Sequence, residues 1–567
     1  MFATLPKDHR VFIHLNWSHL KPFADDLAGR PITPDTVTVW VRDWSDLNRL
    51  LSETYARLWV ATTQNTADRE AKNRFNKFLD ETYTRSQAAN QLLKLKILAS
   101  GLQPEGFDIP VRNMRQEAEI FREANLPRLA EEKKLVNAYD ELIGAQTVTW
   151  EGRQVTTTQL QSVYLELDRA RRERAWRLEM ERKLNDRQKV NDLWRRLLEL
   201  RGQVALQAGF ADYRAYRWKE LLRFDYLPED CFRFHQAIEQ VVLPAARRIY
   251  EKRRKQLGLC SLRPWDLHVD PLGREPLRPF QDISDLETKV SAIFHKVDPQ
   301  LGEYFETMRQ VGLLDLDNRV DKAPGAYCTD FDMLMQPFIF ENAVGIHSDV
   351  STLLHEGGHA FHVFEEAHLP YYHQLAVGME FGEVASMGME LLASPYLVAS
   401  EGGFYSEKEA ARALTEHLEE ALLFLPYMAV VDAFQQWVYP HQVAAMDTDN
   451  CDRKWAELWC QYMLGVDWSG LDDFMVTGWQ RKQHIFEVPF YYIEYGMASL
   501  GAFQVWARAL KDQKAAVAAY RRALALGGTA TLPQLYSAAG ARFAFDAEAL
   551  QEAVSLAEGM IERLEKA

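Results

Sequence analysis

The residues with the most chemical content stand close together in "TLLHEGGHAFH", residues 352–362. His355, Glu356 and His359 form the pattern H-E-x-x-H. On a helix, side chains four apart share a face, so both imidazoles can reach one metal ion while Glu356 points beside it. Imidazole nitrogens suit zinc, and a third protein ligand leaves one position for water. The metal lowers the pKa of that water toward neutrality, and Glu356 can take its proton as general base. Gly357 and Gly358 lie inside the same stretch, although each costs a helix roughly 1 kcal/mol relative to alanine. Close approach of another backbone or of a bound molecule would account for them.

The third ligand sets the type of site. In H-E-x-x-H-x-x-G-x-x-H the next glycine and histidine would fall at 362 and 365, but this chain has His362 and Glu365 there. That arrangement is excluded. The alternative, two histidines and a carboxylate, needs an acid from another helix. "VGMEFGEVASMGMELL" (377–392) offers Glu380, Glu383 and Glu390. Glu383 and Glu390 are two turns apart on one face, and Ala385, Ser386 and Gly388 permit close helix packing. Glu383 is expected as the ligand, and Glu390 as the partner that orients a ligating imidazole. Glu380, Glu365 and Glu366 are expected at the exposed surface.

Local signals suggest what holds these residues. "PFIFENA" (337–343) reads as a strand, Gly345 as part of the turn after it, and Ser348 or Asp349 as the cap of the H-E-x-x-H helix. Residues 1–145 read as helical. "DWSDLNRLLSETYARLW" (43–59) has Ser45 or Asp43 as its expected cap, and "NRFNKFLDETYTRSQAANQLLKLKILASG" (73–101) stops at Gly101. "TVTWEGRQVTT" (147–157) alternates about Glu151-Gly152, which predicts a hairpin and a boundary there. The expected division is therefore an N-terminal helical domain over 1–145 and a second domain over 146–567. Arg-rich residues 168–202 are interleaved with acids, as on a solvated helix face. Residues 260–283 are Pro-rich and loop-like. Ser406 and Glu409 have capping-box spacing, "DTDN" (447–450) reads as a helix cap, and the last 60 residues read as helical hairpins.

Composition narrows the classes. The 567 residues are 47% hydrophobic and carry 15 Trp, 22 Tyr and 29 Phe, which argues for an ordered core. A net charge of −15 argues against a nucleic-acid partner, because phosphate contacts need a basic surface. The apolar run "ALLFLPYMAVV" (421–431) is too short by itself to span a bilayer, so no membrane partner is expected. The N-terminal residues lack a basic start followed by a long apolar run. Cysteines 231, 260, 328, 451 and 460, an odd number, fit buried thiols in a reducing, cytoplasmic compartment.

"GAYC" (325–328), "TLLHEGGHAFH" and "FGEVASMGMELL" (381–392), in this order and spacing, resemble the oligoendopeptidase F family of zinc metallopeptidases, related to the thimet-oligopeptidase-like enzymes. The resemblance is strongest over about 320–500 and weaker at the hairpin and at "LPQLYSAAGARFAFDAEALQEA" (532–553). Gly357 departs from it, since the family usually has a bulky apolar residue there; the local packing is then in question, and the space beside the site could be wider.

The resemblance implies a mainly α fold. A large helical two-lobed shell would surround a deep channel, with a small sheet beside the H-E-x-x-H helix. It implies one zinc per chain on His355, His359 and Glu383, and cleavage of internal bonds in short peptides. Within "HIFEVPFYYIEYGMASLGAF" (484–503), the residues matching those that steady the tetrahedral oxyanion are His484, Tyr491 and Tyr495. Peptide backbone pairing with an edge strand over 337–343, near Ala343 and Gly345, is the expected mode of substrate binding. A carboxypeptidase on the same scaffold and a non-catalytic, metal-containing peptide-binding protein stay open as alternatives. The sequence does not indicate an oligomeric state.

Overall fold

A computed structural model describes residues 2–566. The chain is 71% helical with two small sheets, the mainly α class that the sequence predicts. One continuous apolar core runs from Ala56 and Tyr139 to Ile561, and a smaller cluster around Phe12, Trp40, Trp44 and Phe107 belongs to the N-terminal helices.

The N-terminal helix Val37–Gln64 begins earlier than expected. Ser45 does not cap it. Its hydroxyl is fully buried and donates to the Val41 carbonyl at 2.8 Å, which lets a polar residue continue the helix. Gly101, at φ +65°, ends the helix Thr84–Ser100 as predicted. Strands β1 (Thr147–Trp150) and β2 (Arg153–Thr156) form the expected hairpin, with Val148 opposite Val155. Glu151 and Gly152 both take positive φ at its turn.

The second sheet corrects one expectation. Strands β3 (Leu314–Asp317), β4 (Tyr327–Phe331) and β5 (Gln336–Ala343) lie in the order β3-β5-β4. β5, which contains "PFIFENA", is therefore the central strand and not an edge. β4 pairs with it antiparallel and β3 parallel. Ala343 is buried opposite Asp317, and its carbonyl already accepts from the Asn318 N–H at 3.3 Å. No substrate backbone can pair there. The sequence concealed this because "LDLD" is short and its partner is a parallel strand.

The helix bearing H-E-x-x-H spans His347–Glu366. Its start is capped from within. Asp349 lies in the first turn, and its Oδ2 accepts the N–H groups of Val344, Gly345 and Ile346 at 2.8, 2.7 and 2.9 Å. Ser348 is exposed and takes no part in the cap. Gly345 takes φ +88° in the turn between β5 and this helix, a conformation that costs glycine little.

The two helix glycines now have physical reasons. A Cβ on Gly358 would stand 2.4 Å from the Ala385 carbonyl oxygen, so glycine is what lets the helix Met379–Ala393 pack directly across the site. A Cβ on Gly357 would stand 2.4 Å from the tip of the Phe294 ring. That ring fills the room, so the missing side chain does not widen the site.

The long helix Glu407–Val438 starts with the predicted Ser406–Glu409 capping box. It is long and apolar enough to cross a membrane, but it is mostly buried in this fold, with Leu422, Leu425 and Met428 fully enclosed. Asp447 caps the helix Thr448–Tyr462. Among the cysteines, Cys231 and Cys451 are buried, whereas Cys260 and Cys460 are exposed, contrary to the expectation for all five.

Candidate metal centre and catalytic cavity

His355, His359 and Glu383 come together with donor atoms within 4.8 Å of one another. Helix periodicity supplies the two imidazoles, and the close packing at Gly358 brings up the carboxylate. Glu383 Oε2 lies 3.2 Å from His355 Nε2 and 3.4 Å from His359 Nε2. Two imidazole nitrogens and a carboxylate oxygen suit a divalent ion of the zinc type. Burial would raise the Glu383 carboxyl, but His359 and His355 hold it well below the usual carboxylate range. The ligand oxygens are held in turn. Ser386 donates to Glu383 Oε2 at 2.7 Å, and the Tyr491 hydroxyl donates to Oε1.

Glu390 lies against His355, where the sequence placed it. Its Oε1 lies 2.7 Å from His355 Nδ1, so it accepts the Nδ1–H and fixes the ring with Nε2 turned toward Glu383. His417, on the long helix, stands 3.6 Å from the other Glu390 oxygen. Nothing in its local sequence signals this role, because the contact joins two helices.

Glu356 is 5% exposed, and its Oε2 has no hydrogen-bond partner among the described residues. Burial pushes its carboxyl up, while His355 and His359 oppose the shift. A buried carboxylate oxygen without a donor is costly unless something else meets it.

His355, Glu356, Glu390, His417 and Tyr495 line one cavity of ≈ 900 Å³. Tyr491 caps the helix Tyr492–Ala509, and its ring centroid lies 5.2 Å from that of Tyr495. His484 Nε2 is 3.2 Å from the Tyr495 hydroxyl. Burial holds the His484 imidazole well below its ordinary value, and the charge on Lys482 adds to this, so the ring is neutral. Burial and the Glu383 charge hold both tyrosine hydroxyls well above the ordinary phenol value, so both are proton donors. Gly345 and Ala343 serve the helix cap and the sheet, as described above.

Two acids expected at the surface are buried. Glu380 is 2% exposed and accepts from the Tyr226 hydroxyl at 2.6 Å, with Arg223 Nε 3.6 Å away. Arg223 also donates to Glu494 at 2.6 Å and to the Phe490 carbonyl at 2.6 Å. Phe490 takes φ +67°, a strained value for a phenylalanine, immediately before the tyrosines. Glu366 is likewise buried, near His362, while Glu365 pairs with Arg521. Arg223 and Glu494 went unnoticed in the sequence because charged residues isolated in a chain give no hint of a partner.

A mainly helical chain with a large cavity lined by His355 and Glu356, beside His359 and Glu383, has the build of a peptidase. Residues 164–555 match Peptidase family M3, and the chain belongs to that family. No curated protein sequence matches it. Among solved structures it is similar to Pz peptidase A with an inhibitor, at 26% identity and a TM-score of 0.91, covering 100% of this chain and 99% of the other. It is similar to a crystal structure assigned as an oligoendopeptidase F, at 27% identity and a TM-score of 0.89, with the same coverage. A protein from Bacillus anthracis with the same assignment shares the fold, at 21% identity and a TM-score of 0.87, covering 97% of this chain and 96% of the other.

Proposed function

We propose that this peptidase is a zinc-dependent endopeptidase of short peptides. The observation that carries the reading is the buried, unpartnered Glu356 oxygen beside the cluster of His355, His359 and Glu383. A purely structural metal site has no need of such a base. A zinc ion held by those three residues would supply Lewis-acid polarisation of the scissile carbonyl and would acidify the attacking water. Glu356 takes the proton of that water and delivers it to the leaving nitrogen as the C–N bond breaks. Tyr495 donates to the oxyanion that develops on the carbonyl, and His484 steadies its hydroxyl. Tyr491 serves a different end from the one expected. Its hydroxyl is committed to Glu383, so it fixes a ligand and leaves the oxyanion to Tyr495.

A peptide of about ten residues spans such a cavity in extended form. The enclosed site excludes folded proteins, and short oligopeptides are the substrates that fit it. The test is an internally quenched peptide of that length blocked at both termini. Cleavage at an internal bond, located by mass spectrometry, is expected. If only peptides with a free C-terminus are cut, the enzyme is a carboxypeptidase; if none is cut by the zinc-loaded protein, the peptide-binding alternative replaces the proposal.

A further inference from the structure

The catalytic cavity does not end at the metal ligands. Part of its wall, formed by Tyr164, Glu179, Tyr250, Leu267 and His268, is also the wall of a second cavity of ≈ 260 Å³. The two spaces adjoin at these shared residues. Beyond them the smaller cavity is closed by Trp176, Trp459 and Trp468, with Met180 and Met463 between the rings. Trp176 meets Trp468 edge to face at 5.9 Å, and Trp459 meets Trp468 at 5.4 Å. Trp176 is braced from behind by Trp265 and Phe474, at 5.6 and 5.4 Å.

The charge in this pocket is already matched. Glu179 accepts from the Tyr164 hydroxyl on one oxygen and from Lys183 on the other. What remains open to an incoming group is aromatic and thioether surface, which favours a flat, neutral ring in edge-to-face contact.

We propose that this tryptophan-lined pocket is a specificity subsite that takes a bulky aromatic side chain of a peptide whose backbone lies in the catalytic cavity. The inference rests on the peptidase reading above and adds to it a substrate class: short peptides with an aromatic residue at one fixed position along the chain from the cleaved bond. The pocket sits away from the reacting atoms, so its contribution appears mainly as tighter binding and a lower KM.

The experiment uses alanine-based ten-residue peptides with phenylalanine placed at each position in turn. Cleavage is measured with the zinc-loaded protein, and binding separately with its Glu356→Gln variant. At one position phenylalanine should improve both kcat/KM and Kd by about tenfold or more over alanine. Arginine at that position should give no gain. Met463→Trp, which fills the pocket, and Trp468→Ala, which opens its wall, should each bring the ratio of phenylalanine to alanine toward one. Two opposite changes guard against a variant that merely fails to fold. No favoured position, a preference for arginine, or a preference that survives both substitutions in folded protein would overturn the proposal. If no peptide is cleaved but phenylalanine-dependent binding persists and is lost on filling the pocket, the subsite stands and the hydrolytic reading falls.

Discussion

The helix His347–Glu366 and the segment 482–495 flank the same cluster of His355, His359 and Glu383, yet they are held in opposite ways. On the helix, position follows from local rules. Four-residue spacing aligns the imidazoles, Asp349 caps the start, and Gly358 sets the distance to Glu383. The other segment has only the short helix Gln483–Glu487 before Tyr492, and residues far away in sequence fix it. Arg223 takes the Phe490 carbonyl, Gln435 accepts the Phe490 N–H at 2.8 Å, and Arg201 donates to the Phe486 carbonyl. The histidine pair is thus placed by secondary structure, whereas the segment around Tyr495 is placed by tertiary contacts.

Substitutions can break this contrast or sharpen it. The largest effect belongs to Glu356→Gln, which keeps size and hydrogen bonding but removes the base. kcat should fall by about 10²–10⁴-fold with zinc content unchanged; retained turnover would move the proton transfer to another group. Next comes Tyr495→Phe, expected to lower kcat by about 10²–10³-fold while leaving zinc and KM nearly alone. A matching Tyr491→Phe should show itself in zinc affinity instead, and if the two variants behave alike, the separate roles given to these tyrosines collapse. Glu390→Gln should weaken zinc by about 10–100-fold through the loss of a charged partner for His355 Nδ1, measured by competition with a chelating dye. The smallest change is Gly358→Ala. Its methyl group meets the Ala385 carbonyl, so an unfolding titration should show a loss of about 1–3 kcal/mol despite the better helix propensity of alanine.

Legibility in the sequence follows the same contrast. The clustering of His355, Glu356, His359, Glu383 and Glu390 could be read from spacing because each projects from a helix face. The hairpin at Glu151-Gly152, the Gly101 stop and the Ser406–Glu409 cap were legible for similarly local reasons. Pairing partners were not. β5 looked like an edge strand because β3 carries so weak a signal, and the burial of Glu380 depends on Arg223 and Tyr226, more than 150 residues away. Ser45 and Ser348 showed ordinary capping chemistry at positions where the chain had already become, or had just become, helical. His417 could be found only once two helices were in contact.

The central claim is that the two histidines and Glu383 hold one zinc that is needed for peptide cleavage. The most direct measurement is metal content by mass spectrometry together with hydrolysis of the quenched peptide, before chelation, after it, and after zinc is returned. One zinc per chain, with activity lost on chelation and restored by zinc, is the predicted result. Cleavage that persists in metal-free protein would contradict the account.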